Sequence, residues 1–452
     1  MVTSRTQAQR TLHVFVMAGG AGSRLHPLTA GWCKPALPFA GNHCVVDFVL
    51  ANLRNSQVPG VDLLVQHHAA ALIEHVRQSW ATPFGPAHAT HALALTGLDG
   101  RRARARGEDF VRVVRPAPGS VFQGTADAVW QSLTRVPLEA DLVLVFGADH
   151  LYRMDVRQMI DFHRERRADV TISSLPVPLA EARAFGIVEA DEHGQVCAFH
   201  EKPVAPAAMH GRPGHALASM GNYIFDAALL RRELALAHAR GETDFGQHIL
   251  PRLVSQYRVL AYDFTHNRVP GMAAHDDSCY WRDVGTIDAY FAAQLDTLGS
   301  RPAFELDDPR WPVASQRLRV GRPPLVHGSE LHASCVAAGA TVESASVDTS
   351  IVGRQARVRG GARLSRCILL DRVVVGSTAR LHNVIVDRDN VIPPGEVIGY
   401  DLARDRERFP VSAGGVVVVP RGYFAAVNSS ARTARAPSGG TRPVAQPSLL
   451  HG

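Results

Sequence analysis

A chain of 452 residues exceeds what one ordinary core encloses and predicts two or three domains. Its 46% apolar and 20% charged residues are the composition of a soluble globular protein, and a net charge of +6 fits small anionic substrates as well as nucleic acid. The six cysteines are scattered without Cys-x-x-Cys spacing, the N-terminal stretch lacks a signal-peptide core, and no apolar run approaches the ~20 residues of a membrane span, so a cytoplasmic protein with free thiols and no membrane partner is expected.

Residues 1–10 are polar and expected to be loose. Leu12 to Met17 is a short apolar run with β-branched Val14 and Val16, the pattern of a buried strand. It stops at Ala18-Gly19-Gly20-Ala21-Gly22, where no bulky side chain prevents the backbone from turning several N–H groups toward one anion. Arg24 and Lys34 flank this bend with a guanidinium fork and a mobile point charge, a combination suited to a polyphosphate. The spacing is neither the dinucleotide fingerprint nor a P-loop. The longer string Ala-Gly-Gly-x-Gly-Ser-Arg-Leu with a trailing Lys-Pro-Ala resembles the signature of sugar-1-phosphate nucleotidyltransferases.

Val45, Phe48, Val49 and Leu53 then repeat at helical spacing, Val61–Val65 reads as the next strand, and Ala126–Leu133 as a helix. Leu142–Phe146 is a near-continuous strand that ends at Gly147-Ala148-Asp149-His150, and ligands of open α/β sheets bind outside such carboxyl ends. Strand-like and helical runs alternate to about Leu298, which predicts an α/β domain with a mostly parallel sheet flanked by helices over 11–298. The basic run 99–109 has no interleaved aromatic to stack bases and reads as a solvated, mobile loop, so no nucleic-acid partner is expected. His67, His68 and the other histidines lack metal-ligand spacing and are read as structural.

Prolines mark a linker over 299–325. Beyond it Val352, Val358, Leu364 and Leu370 are six apart, as are Val373, Ala379, Ile385, Val391 and Val397, with Gly376 and His382 interrupting the first phase. A period of six suits a solenoid in which each short strand supplies an inward aliphatic. The hexad pattern resembles a left-handed parallel β-helix, expected over 326–427, with a disordered Ser/Ala/Arg/Pro/Gly tail over 428–452.

Ordered strings then extend the resemblance: Asp47-Phe48, Gly124-Thr125-Ala126-Asp127, Phe146-Gly147-Ala148-Asp149-His150, Ala184-Phe185-Gly186, Glu201-Lys202-Pro203, Ser219-Met220-Gly221-Asn222-Tyr223, Asp244-Phe245-Gly246 and Tyr280-Trp281-Arg282-Asp283-Val284-Gly285-Thr286. Over nearly its whole length, excluding both tails, the chain resembles bacterial glucose-1-phosphate adenylyltransferase (ADP-glucose pyrophosphorylase). The resemblance implies transfer of the adenylyl group of ATP to α-D-glucose 1-phosphate, with pyrophosphate leaving, for glycogen or another α-glucan. It implies Arg24, Lys34 and Asp149 as catalytic residues and Mg²⁺ held by Asp149 and Asp283. Gly19, Gly20, Gly22, Gln66, Gly124 and Thr125 would meet the nucleotide. Gly186, Glu201, Lys202, Ser219 and Tyr223 would meet glucose 1-phosphate, and Lys202, as the residue before a proline, is expected in an extended segment that projects its side chain into a cleft. The β-helix would regulate the enzyme and assemble a homotetramer.

The family usually has Arg-Ala-Lys-Pro where this chain has Trp32-Cys33-Lys34-Pro35, and Tyr-Arg where it has Phe122-Gln123. The cations of its Gly-Gly-Lys-x-Arg segment, which bind a sugar-phosphate activator, are replaced by Ala40-Gly41-Asn42-His43-Cys44. Arg388 alone matches a basic position of that activator site, so a weakened or altered response to such activators is expected. The alternatives are another nucleotide or sugar specificity, a low-activity regulatory paralogue, and acyl transfer on the solenoid with His382 as base.

Overall fold

The computed structural model describes residues 11–20, 22–80, 110–271, 280–306, 308–313 and 322–424. The polar residues 1–10 expected to be loose, Ala21 of the glycine bend, the basic run 99–109 and the tail 428–452 lie outside the described residues.

The sheet of the first domain contains β1 (Thr11–Ala18), β2 (Val61–Val65), β3 (Val111–Val114) and β4 (Ala140–Gly147), all parallel, in the order β4-β1-β2-β3. A separate short strand, β5 (His150–Tyr152), comes directly after β4. The sheet continues with β6 (Val170–Pro178), β7 (Gly186–Ala190), β8 (Val196–Glu201), β9 (His215–Asp226) and β10 (Val259–Asp263). Here β9 is the hinge between two halves, pairing antiparallel with β4, β6 and β7. Strands buried on both faces must be apolar on both. Val14 and Val16 accordingly join one hydrophobic cluster and Phe15 the other, as do Leu144 and Phe146 against Val143 and Val145.

Helices α1 (Val46–Asn55), α2 (Ala70–Trp80), α4 (Val156–Glu165) and α7 (Ile287–Leu295) cover the first face. The opposite face carries α3 (Thr125–Gln131), α5 (Ala227–Ala239) and α6 (Leu250–Val254). Among the residues after α7, Phe304, Trp311 and Val313 are buried, and Trp311 donates its indole N–H to Asn52 Oδ1 at 3.0 Å, which ties this stretch to α1.

The C-terminal domain is a left-handed parallel β-helix. One set of inward rungs stacks Val342, Val358, Val375 and Ile392, a second stacks Val347, Leu364, Leu381 and Ile398, and a third stacks Val352, Leu369, Val386 and Val419. The hexad reading needs one correction. Up to Ile398 the rungs sit 16 or 17 residues apart, so three steps of six overshoot a coil by one or two residues; only the last, Val386 to Val419, spans a longer insertion. The phase of Val352, Val358, Leu364 and Leu370 is buried throughout, but the later one drifts outward: Val391 is 51% exposed and Ile392 faces in instead.

The solenoid is not tethered loosely. Ile368, Leu370, Ile385, Val416 and Val418 from its side enter the same cluster as α1, α2 and α7. Ala338 N–H donates to Asn42 Oδ1 at 3.0 Å, and Asp288 of α7 accepts from Ser412 Oγ and from Gly414 N–H.

His163 of α4 is buried and shares a 2.8 Å hydrogen bond with Thr171 Oγ1 of β6. Burial pushes its imidazole down to about 4. Between that value and the ~6.5 of an unfolded histidine the unfolded chain holds more protons, so stability falls as pH drops through this window, by roughly 3 kcal/mol in all. Urea denaturation at pH 7.5 and pH 4.5 should show this loss in the native chain and a smaller one in His163→Gln.

Candidate active site

Three neighbouring parallel strands end on one edge of the sheet, and the site is built on the loops that leave them. Met17 pairs with Gly147 and Ala18 with Val65, so the glycine bend after β1, Gln66 after β2 and Asp149 after β4 emerge side by side. Ala148 N–H donates to Met17 O at 3.1 Å and fixes the turn that presents Asp149. Asp283 comes from far along the chain. It ends the short strand β11 (Trp281–Asp283), which pairs antiparallel with β5 so that Asp283 lies opposite His150.

Lys34 stands at the start of a 3-10 turn and is 5% exposed. Its Nζ donates to Asp149 Oδ2 at 3.1 Å and to Asp283 Oδ1 at 2.7 Å. Arg24, largely in solvent, brings Nη2 to 3.7 Å from Asp283 Oδ2. Burial alone would raise the Asp149 carboxyl, but His150 and Lys34 outweigh it and hold the group below the usual carboxylate range. Small residues make this approach possible: a Cβ on Gly285 would stand 2.7 Å from Arg24 Nη2 and 2.9 Å from the Asp283 carboxylate, and Gly22, at φ 63°, leaves 3.2 Å to Lys34 Cβ.

His150 is the residue that sequence reasoning missed. Its Nδ1 lies 3.4 Å from Asp149 Oδ1 and its Nε2 3.9 Å from Asp283 Oδ1, with the ring tilted against Trp281 at 5.0 Å. Asp149, His150 and Asp283 each offer a ligand atom within 4.8 Å of the others. Spacing in sequence does not reveal such a set, because strand pairing assembles it. The only signal was adjacency to Asp149. A second trio among the described residues, Cys44, Asp47 and His75, is a different thing. Asp47 Oδ1 accepts from His75 Nε2 at 2.6 Å and Trp80 Nε1 at 2.8 Å, and Oδ2 accepts from Cys44 N–H, so the carboxylate is fully used in a buried ion pair.

On the side expected to meet the nucleotide, Gln66 grips the backbone of Phe122 through both its amide nitrogen and its oxygen, and a Cβ on Gly19 would lie 3.9 Å from it. Gly124 passes so close to Thr243 O that a Cβ there would collide with backbone. Thr125 Oγ1 donates to Asp244 Oδ2 at 3.0 Å and accepts from Phe245 N–H, which docks this segment on the other half of the domain. Gly20 has nothing within 4 Å of its Cβ position.

On the side expected to meet the sugar, the register of β9 slips between Ser219 and Tyr223, a bulge of the kind that re-aims side chains beside active sites. Ser219 Oγ and Tyr223 Oη lie 3.4 Å apart there, and Gly221 O approaches the Gly147 position. Glu201 ends β8 opposite Gly186, and its carboxylate fills the space that a Cβ on Gly186 or Gly246 would need, at 3.0 and 2.5 Å. Lys202 departs from expectation. It is not extended but left-handed, at φ 47°, despite the proline after it, and its Nζ rests 2.6 Å from Glu201 Oε1. A non-glycine residue held there costs about 1–3 kcal/mol, which the pairing of β8 with β7 and the Lys202 N–H bond to Phe185 O offset. Arg388 is corrected too: as a basic residue for an activator it should face solvent, and it is 0% exposed, sealed between the domains.

Residues 13–300 match the family model described as nucleotidyl transferase, and residues 326–419 match the one described as GlmU-like, C-terminal hexapeptide. The glucose-1-phosphate adenylyltransferase of Thermus thermophilus is 42% identical over 420 residues, which cover 90% of this chain and 97% of the relative. Those of Thermodesulfovibrio yellowstonii and Deinococcus radiodurans are each 39% identical, over 90% of this chain and 95% and 98% of theirs. The chain belongs to the glucose-1-phosphate adenylyltransferase family. Identity spread over both domains makes the solenoid part of what this family shares with the chain, not an appended module.

The glycines separate stability from function. Gly124→Ala should lower stability by about 1–3 kcal/mol, because backbone must move, whereas Gly20→Ala should leave it unchanged. Urea denaturation of the two variants beside the native chain checks this.

Proposed function

We propose that the chain transfers the adenylyl group of ATP to α-D-glucose 1-phosphate and releases pyrophosphate, giving ADP-glucose for α-glucan synthesis. The observation that carries this reading is the meeting of Asp149 and Asp283 on the Lys34 ammonium, at the mouth of the glycine bend. A sugar-phosphate oxygen forms the new P–O bond at the α-phosphorus while the bond to the β-phosphate bridging oxygen breaks. No acid–base pair is required, but two anions must be brought together and aligned.

The residues divide accordingly. Backbone N–H groups of the bend, at Gly19, Gly20 and Gly22, suit the triphosphate, and Arg24 suits the charge of the departing pyrophosphate. Gln66, Gly124 and Thr125 form the wall for the base. Lys202 takes the phosphate of the sugar, and Glu201, seated in the space left by Gly186 and Gly246 with Ser219 and Tyr223 beside it, accepts from sugar hydroxyls.

Two carboxylates about 4 Å apart repel by about 4 kcal/mol at an effective dielectric of about 20, so once Lys34 turns from them to a phosphate the pair calls for another cation. The donor set fits Mg²⁺, which would be held by Asp149 and Asp283 with His150 beside them. When bound, Mg²⁺ supplies charge neutralisation at the phosphates; Lys34 is free to move from the carboxylates to a phosphate oxygen. A cytoplasmic location belongs to the same reading, and the five described cysteines are free, as a reducing compartment would keep them. No described helix is long and apolar enough to cross a membrane. A homotetramer with the solenoid as its regulatory part is the assembly we infer from the family.

Coupled ADP-glucose synthesis on the purified chain, run with ATP, UTP, dTTP and GTP, should proceed best with ATP and stop on chelation of Mg²⁺. Asp149→Asn should lower kcat by about 10²–10³. An unchanged rate in that variant removes the metal assignment. Gly246→Ala pushes the Glu201 carboxylate aside, so KM for glucose 1-phosphate should rise about tenfold or more with the KM for ATP little changed.

A further inference from the structure

Arg388 of the solenoid reaches the segment that follows the glycine bend. Arg388 leaves a rigid corner: its own N–H and Nε both donate to Asp387 Oδ1, at 2.7 and 2.8 Å, and Asn390 Nδ2 donates to Asp387 O and to Pro420 O. The next residue, Asp389, is paired with Arg372 and Arg421. From this corner the Arg388 guanidinium crosses to the first domain. It lies 3.5 Å from the centroid of the Trp32 ring, and its Nη2 donates to Leu28 O at 3.2 Å. Its Nη1 is buried with no hydrogen-bond partner among the described residues, so the ring face supplies the compensation on that side.

The gripped segment lies beside the reaction centre. Gly22 to Trp32 is a run of turns, closed by Leu28 N–H to Leu25 O, Ala30 N–H to Pro27 O, Trp32 N–H to Thr29 O and Thr29 Oγ1 to Gly22 O. Arg24 stands near its start and Lys34 two residues past its end. The two contacts of Arg388 fall between these cations. A side chain with 0% exposure and a guanidinium held by a carboxylate, a carbonyl and a ring has no room for an anionic ligand.

We propose that Arg388 is a positioning residue for the transfer: through Trp32 and Leu28 it fixes the loop that carries Arg24 and Lys34, and so couples the solenoid directly to the reaction centre. The proposal builds on the activity inferred above. Trp32 is its essential partner, since the flat ring is what a buried guanidinium can stack on. A cation at position 32 would repel it.

The test compares Trp32→Phe, Trp32→Leu and the double variant Asp387→Asn/Arg388→Met in the full chain. The Trp32 series leaves the Asp387–Arg388 pair in place, and the double variant leaves no buried unpaired charge. Trp32→Leu and the double variant should lose about ten- to a hundredfold in kcat, the scale expected of a slightly misplaced catalytic group. KM for glucose 1-phosphate should stay within about twofold, and Trp32→Phe should keep kcat within about threefold of the native value. Amide exchange over residues 23–37 should quicken about tenfold or more in Trp32→Leu and not in Trp32→Phe. Native kcat in Trp32→Leu, or equal damage in Phe and Leu variants, overturns the coupling. A native chain that makes no ADP-glucose defeats the activity reading instead, and the exchange measurement still decides the clamp: unchanged exchange in Trp32→Leu refutes it.

Discussion

The ammonium of Lys34, held between two carboxylates, is the interaction on which the rest of the structure turns. Asp149 and Asp283 could not share a small volume without a cation, and Lys34 supplies one from a buried turn. Each partner arrives by a different route. Lys34 comes after the bend that ends β1, Asp149 comes after β4, and Asp283 is carried in by the pairing of β11 with β5. The parallel half of the sheet aligns the first two, and the bulged strand β9, paired with β4, brings Ser219 and Tyr223 together on its own side of the sheet.

The solenoid extends this logic. Its interior is a stack of Val, Leu and Ile rungs, but one side of it completes the core of the first domain, so neither domain's apolar surface is finished alone. Burying such a surface contributes about 25 cal/mol per Å², which holds the two parts in one register. Arg388 converts that register into a constraint on a loop only a few residues from the reacting groups.

Much of this was legible in the sequence where physics is local. The apolar runs of β1, β2 and β4 mark strands because both their faces are buried, and the hexads announce stacked short strands. The family resemblance named Asp149 and Asp283 as a pair, and strand pairing shows how they meet in space. The features that stayed hidden depend on tertiary placement. The backbone of Lys202 obeys the β7–β8 pairing and not the preference of a residue before proline. Val391 faces outward because coils of 17 residues do not divide by six. Arg388 looks like a surface cation until Trp32 is seen beneath it, and His150 gains meaning only from the strand opposite.

The way Asp283 reaches its partners decides what the charged cluster depends on. It stands 249 residues from Lys34, and the final link is a ribbon of three residues on each side. Closing so long a loop costs entropy that three residue pairs offset only with the surrounding core in place. The charged cluster is therefore a property of the whole folded domain: parting β11 from β5 would draw Asp283 away from Lys34 while the parallel strands stay paired.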